Sequence, residues 1–174
     1  MTYAGGGDLF SRLMPTTIPG EGLATEERLL TLADAEAQLY SAQIVLALEH
    51  LHAKHIMHRN IKLENLLCMP QHNRNDPLTV KLTDFGFACY LKMGEELKLP
   101  LGSPLYMAPE IIERKNYDHR VDTWAIGVMT YICLSGTPPF YDEKPDKLKD
   151  RICNDDLQFG KQFDKISSHA KDFM

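Results

Sequence analysis

Eight consecutive residues, His58-Arg59-Asn60-Ile61-Lys62-Leu63-Glu64-Asn65, gather cationic, acidic and carboxamide side chains between a long amphipathic run and the apolar Leu66-Leu67-Cys68. Such a stretch suits a loop that holds polar groups at the edge of a sheet. About twenty residues on, Asp84-Phe85-Gly86 adds a carboxylate at a glycine turn, and Ala108-Pro109-Glu110 follows later. Asp84 offers a hard carboxylate and Asn65 a carbonyl oxygen, donor types that suit a hard divalent cation. Lys62 adds a positive charge to the same stretch.

Strand-like Thr79-Val80-Lys81-Leu82 leads into the second element. In this order the elements match a catalytic loop, an Asp-Phe-Gly turn and an Ala-Pro-Glu motif. The chain resembles a eukaryotic protein kinase over essentially all 174 residues. Lys62 and Gly102-Ser103-Pro104 resemble the serine/threonine type. Ser135 to Phe140 and Ala170-Lys171-Asp172-Phe173 look most like the calcium/calmodulin-dependent group, including the calcium-dependent kinases.

The resemblance implies a kinase-like large lobe, mainly α with a small β hairpin, that transfers phosphoryl from ATP to protein Ser or Thr with Mg2+ as cofactor. It implies Asn60, in the catalytic-base position, with Lys62, Asn65 and Asp84 as the catalytic set, and Asn65 and Asp84 as metal ligands. Tyr3, Ala4, Asp8, Glu64 and Leu67 would line the nucleotide site. Arg59, Ser103 and Glu110 belong to the substrate and activation region. His58 and Phe85 would stack in an apolar spine, and Asp122 would hold the catalytic-loop backbone. Glu64 and Asp8 lie where related kinases meet basic substrate residues, so a protein substrate with an Arg upstream of the target Ser or Thr is expected.

One letter departs from the family pattern, because Asn60 stands where the loop carries the aspartate base. The amide has the same shape and still hydrogen-bonds, but it is not a base at neutral pH. General-base help is worth roughly 10²–10⁴-fold, so impaired catalysis is expected. The alternative is a pseudokinase or lobe-only protein that serves as a binding or scaffolding module.

Residues 1–10 resemble the hinge between the two kinase lobes, with Asp8 both capping a helix and reaching for a ribose. A flexible glycine linker into a capped helix explains Gly5-Gly6-Gly7 equally well. No glycine-rich phosphate loop, strand lysine or partner glutamate precedes the hinge, so the small amino-terminal lobe is expected to be missing. Two prolines and two glycines make 11–27 a surface loop. A long buried helix is expected from near Thr31, with Asp34 as capping partner, to about Lys54, burying Leu39, Ile44, Leu48 and Leu51.

His50, His52, His55 and His58 are read as scattered surface histidines plus one structural His58, because no carboxylate or thiolate is evidently shared for a metal. Asn, Asp and Pro between Met69 and Leu78 predict a hairpin turn. The activation segment spans 84–110, where Tyr90 is the only hydroxyl between Gly86 and Gly102. Glu95 or Glu96 could give Arg59 a fixed negative charge, or be solvated loop charges. Further helices are expected to start near Tyr117, Lys147 and Ile166. The sequence stops in the last of these, leaving Glu110 without the arginine that pairs with it in the family.

Net charge is −5 with an isoelectric point near 5.8, which argues against nucleic-acid or anionic-membrane partners. No apolar run is long enough to span a bilayer. No signal-peptide order opens the chain, so a cytoplasmic or nuclear site is expected. Four cysteines without a C-x-x-C pair are read as reduced thiols. Neither EF-hand loops nor an autoinhibitory tail are present, so calmodulin is not indicated within the chain.

Overall fold

The computed structural model describes residues 5–14, 29–70 and 78–174. The fold is built on two long helices. Val121, Ala125, Ile126, Val128, Met129 and Ile132 leave little polar surface, so α4 (Arg120–Ser135) is buried nearly all round, as an apolar stripe of this width requires. Gly136 ends it in the left-handed conformation at φ 75°, and its N–H returns to the Ile132 carbonyl, a common helix stop. Helix α2 (Asp34–His52) lies against it and buries Ala37, Tyr40, Ile44 and Leu48 at spacings of three and four. The polar pair Ser41 Oγ and Thr130 Oγ1 meets between the two helices at 2.8 Å. Neither buried hydroxyl is thereby orphaned.

Two sequence expectations for α2 are corrected. Its first residue is Asp34 and not Thr31, because the Glu36 carboxylate reaches back to the Ala33 N–H at 3.4 Å and closes the first turn there. Leu39 is 37 % exposed, since its position falls off the stripe shared by Tyr40, Ile44 and Leu48. The helix ends at His52, which leaves His55 and His58 beyond it, as expected.

Helix α1 (Leu9–Leu13) is short and is capped as its sequence predicts. Asp8 Oδ1 accepts the Ser11 N–H at 2.7 Å and Oδ2 the Ser11 hydroxyl at 2.7 Å, which satisfies donors that the first turn leaves open. Strands β1 (Ile56–Met57), β2 (Leu66–Cys68), β3 (Val80–Leu82) and β4 (Cys89–Tyr90) make two antiparallel ladders. The β2–β3 hairpin, with Leu66 opposite Leu82, is the one expected. The β1–β4 ladder sets Ile56 opposite Tyr90. It adds to the expected single hairpin, because two-residue strands carry no readable periodicity. Helices α3 (Pro109–Ile112), α5 (Pro145–Asn154) and α6 (Ser168–Phe173) complete the chain. Residues 1–4, most of the 11–27 loop and the hairpin turn at 71–77 lie outside the described residues.

The main core joins α1, α2, α4 and the hairpin, and Phe163 closes it from below. A second cluster, Met57, Leu91, Ala108, Ile111, Tyr117 and Val121, sits under the activation segment. All four cysteines are unpaired, and burial pushes the Cys133 thiol up to about 12. No helix of the described residues is long and apolar enough to cross a membrane. Phe163 is 1 % exposed and packs on the Tyr131 and Phe159 rings at 4.7 and 5.0 Å. Phe163→Ala should therefore lower unfolding free energy by about 3–5 kcal/mol, read as a fall in the urea midpoint with unchanged slope.

Candidate active site

Between the end of α2 and the hairpin the chain crosses the molecule with few ladder partners for its amides, and buried N–H groups must be satisfied somewhere. Asp122, on the first turn of α4 and 1 % exposed, supplies the acceptors. Its Oδ2 takes the His58 N–H at 2.9 Å and its Oδ1 the Arg59 N–H at 2.8 Å. Arg59 sits at φ 62°. For a non-glycine residue this left-handed conformation costs about 1–2 kcal/mol. The Arg59 amide bond, with Arg59 Nε donating to the Phe87 carbonyl at 2.7 Å, opposes that strain.

His52 Nε2 also meets Asp122 Oδ2 at 2.9 Å, with the His119 ring edge-on at 5.2 Å. This corrects the view of His52 as a surface histidine. A signal was available, since an α2 histidine at the helix end faces α4 once the two helices pack, but it needs the tertiary arrangement.

His58 is fully buried. Its Nε2 lies 3.0 Å from the Thr83 carbonyl, and its Nδ1 accepts the Asn60 N–H at 3.3 Å. Those partners set the neutral tautomer with hydrogen on Nε2. The ring meets Phe85 edge-on at 4.9 Å. Burial holds the imidazole below its usual range, against the opposing Thr83 bond and the Asp122 and Asp84 charges.

Asn60, Asn65 and Asp84 converge. Asn60 Nδ2 donates to Asp84 Oδ2 at 2.8 Å, and the Ser103 hydroxyl donates to Asn60 Oδ1 at 3.4 Å. That orientation is required, because a carboxylate can only accept. Asn65 Nδ2 donates to the Asn60 carbonyl at 2.7 Å and reaches Asp84 Oδ2 at 3.4 Å. Asp84 itself stands at φ 61° and accepts the Gly86 N–H at 3.3 Å. Asn65 hangs from a single 3-10 turn, Leu63–Asn65, and its carbonyl accepts the Thr83 N–H at 3.0 Å. Lys62 is half-buried; its carbonyl accepts the Asn65 N–H at 3.0 Å, and its side chain makes no hydrogen bond or ion pair with another described residue.

The oxygen donors of Asp84 and Asn65 fit Mg2+, which takes one or two protein oxygens and completes its shell with phosphate and water. These two residues would hold it. No larger cluster of His, Cys, Asp or Glu forms among the described residues.

Other expected site residues are more dispersed. Asp8 pairs with Leu67 in an isolated bridge, next to the Gly6 N–H that donates to the Cys68 carbonyl at 3.1 Å. A Cβ on Gly6 would stand 2.6 Å from that carbonyl, so the close approach needs glycine. Although burial pushes the Asp8 carboxyl up, the Ser11 N–H and hydroxyl outweigh it and hold it below the usual range. Glu64 is exposed on the same side as Tyr106, whose phenol is raised by burial and then by the Glu64 charge. Tyr3 and Ala4 lie outside the described residues.

Neither Glu95 nor Glu96 reaches Arg59. Glu95 accepts the Lys92 N–H at 3.0 Å and Glu96 the Asn116 side chain at 2.9 Å, so nearby donors claim both. Glu110 is half-buried at the edge of a ≈ 630 Å³ groove that also holds Arg120, whose guanidinium pairs with Asp118 at 2.9 Å. Glu110 has no ion pair with a described residue.

A protein kinase domain model matches residues 1–174. The chain is 40 % identical over 133 residues to a probable myosin light chain kinase of Dictyostelium discoideum, covering 76 % of this chain and 37 % of that protein. It is 38 % identical over 172 residues to the cAMP-dependent protein kinase catalytic subunit 3 of Drosophila melanogaster, covering 99 % of this chain and 25 % of the relative. It is 37 % identical over 175 residues to the calcium/calmodulin-dependent protein kinase type 1B of Rattus norvegicus, covering 100 % of this chain and 46 % of the relative. The chain therefore belongs to the eukaryotic protein kinases, on the serine/threonine side of the family. It spans between a quarter and just under half the length of these curated relatives.

Two measurements probe this arrangement. Asp122→Ala strands the buried His58 N–H and the part-buried Arg59 N–H, at about 1–3 kcal/mol each at most, and should lower the thermal midpoint while accelerating amide exchange at His58 and Arg59 ahead of α4. A histidine held neutral in the folded state and free to protonate when unfolded makes the unfolded state bind more protons, so stability rises with pH through this range. Stability should thus fall as pH drops below about 6.5, and His58→Phe should flatten that part of the profile.

Proposed function

We propose that the chain is part of a serine/threonine protein kinase catalytic domain of the calcium/calmodulin-dependent type, moving the γ-phosphoryl of Mg-ATP to a Ser or Thr of a protein, with that step slowed by Asn60. The observation that carries the reading is the convergence of Asn60, Asn65 and Asp84 within hydrogen-bond reach on one side of the loop, with the Lys62 side chain unpaired among the described residues. Asn65 and Asp84 would hold Mg2+, which would supply positive charge to neutralise phosphate oxygens. Lys62 neutralises the group in transit.

Asn60 sits where the acceptor hydroxyl is aligned, and its Oδ1 can take that hydrogen bond but not the proton. The exposed Glu64 suits a basic residue upstream of the target.

A second reading is favoured by one contact. With its Nδ2–H spent on Asp84, Asn60 turns the site toward holding ligands, which is the behaviour of a pseudokinase that binds without transferring. Transfer of radiolabelled γ-phosphate to an Arg-bearing Ser/Thr peptide by the natural protein and by Asn60→Asp separates the two. A rise of about a hundredfold or more in the variant supports the kinase reading. No gain, with Mg-ATP still bound, sinks it in favour of the binding module.

A further inference from the structure

Strand β3 has a strand partner on one edge only. Leu67 opposes Lys81, Cys68 opposes Val80, and the Thr79 carbonyl accepts the Met69 N–H at 2.8 Å. Successive residues of a strand turn their backbone groups to opposite edges, so the Leu78 carbonyl and the Val80 N–H point away from β2. Both residues are buried, and buried backbone groups need partners. One side chain serves both. Gln43, half-buried on α2, donates from Nε2 to the Leu78 carbonyl at 3.1 Å and accepts the Val80 N–H on Oε1 at 2.9 Å. Its Nε2 also reaches the Leu39 carbonyl, one turn back on α2, at 3.4 Å. The carboxamide thus pairs with β3 as a residue of a third strand would.

This contact selects a register. A slip of β3 by one residue would turn its other edge to α2, where the backbone groups belong to β2. Apolar packing holds the strand less closely, since a groove of ≈ 340 Å³ lined in part by Ile44, Ala47, Leu51, Leu82 and Phe85 stays open between α2 and β3. From β3 the chain runs through Thr83, whose N–H is on the Asn65 carbonyl at 3.0 Å and whose carbonyl lies 3.0 Å from His58 Nε2, straight to Asp84. We propose that Gln43 is a positioning residue for Asp84: its carboxamide locks β3 in register on α2 and so sets where the Asp-Phe-Gly turn stands relative to the catalytic loop. Asp122 fixes the loop from α4, and Gln43 fixes the turn from α2. The inference takes from the kinase reading only that Asp84 belongs to the site.

The test uses Gln43→Met, which keeps the length of the side chain and loses both bonds, and Gln43→Glu, whose carboxylate accepts the Val80 N–H and has no hydrogen for Leu78. In Gln43→Met, amide-exchange protection at Val80 should fall about tenfold. The Thr83, Asp84 and Gly86 amide resonances should move while those of Val128 and Met129 in α4 stay in place. Gln43→Glu should keep the Val80 protection and still move the turn resonances. Unmoved turn resonances in Gln43→Met, or protection lost evenly through α4, overturn the proposal. In an Asn60→Asp background Gln43→Met should lower kcat by about 10–100-fold at an unchanged peptide KM, and moved resonances with unchanged kcat also overturn it. If Asn60→Asp transfers no phosphate, the kinase reading falls and the turn resonances alone decide this inference. Normal transfer with unmoved resonances sinks this inference and leaves the kinase reading standing. Should neither variant fold, exchange of the natural protein in mild denaturant decides: Val80 and Thr83 open together if Gln43 clamps the strand, and free exchange at Val80 with Thr83 protected refutes it.

Discussion

One buried carboxylate holds the functional half of this molecule in place. Asp122 is fixed by α4, the most thoroughly buried element, and it binds the backbone of His58 and Arg59 rather than any side chain of the catalytic set. Its bonds therefore fix where the loop runs, whatever residues the loop carries. A charged group is costly to bury unless its acceptors are filled, and here two amides and the His52 ring fill them. The same contact ties α2 to α4 at the point where the loop departs, so packing of the core and position of the loop are one constraint.

From that anchor the site is assembled through short-range bonds. His58 joins the loop to Thr83 and Phe85, Asn65 joins the 3-10 turn to Asn60, and Asn60 joins both to Asp84. Two of the residues involved, Arg59 and Asp84, take left-handed backbone conformations that their side chains disfavour. Strain of this kind persists only where surrounding bonds over-determine it. The loop meets that condition, with each strained residue held by at least two hydrogen bonds.

Much of this was legible in the sequence, for identifiable reasons. The loop, the Asp84 turn and the hairpin are read from residue types at fixed offsets, and the α4 run announces itself because nearly every face is apolar. The Asp8 cap likewise follows from local chemistry. What was not legible depends on tertiary contact. His52 on Asp122 requires α2 to face α4, the β1–β4 ladder requires chain segments more than thirty residues apart to meet, and the loss of Leu39 from the core reflects which stripe of α2, that of Tyr40, Ile44 and Leu48, turns inward. Glu95 and Glu96 went to nearer donors, because such bonds cost less ordering entropy than reaching across to Arg59.

The short β1–β4 ladder sets the mechanical boundary conditions of the segment that follows it. The Leu91 N–H is tied to the His55 carbonyl at 2.7 Å, and Leu97 and Tyr117 exchange both of their backbone bonds at 2.8 Å. Residues 92–96 are therefore pinned at both ends to different parts of the fold, with Met93 between them 72 % exposed. A ligand that reorders this surface must undo a knot at Leu91 or Leu97 before the change is felt at Asp84.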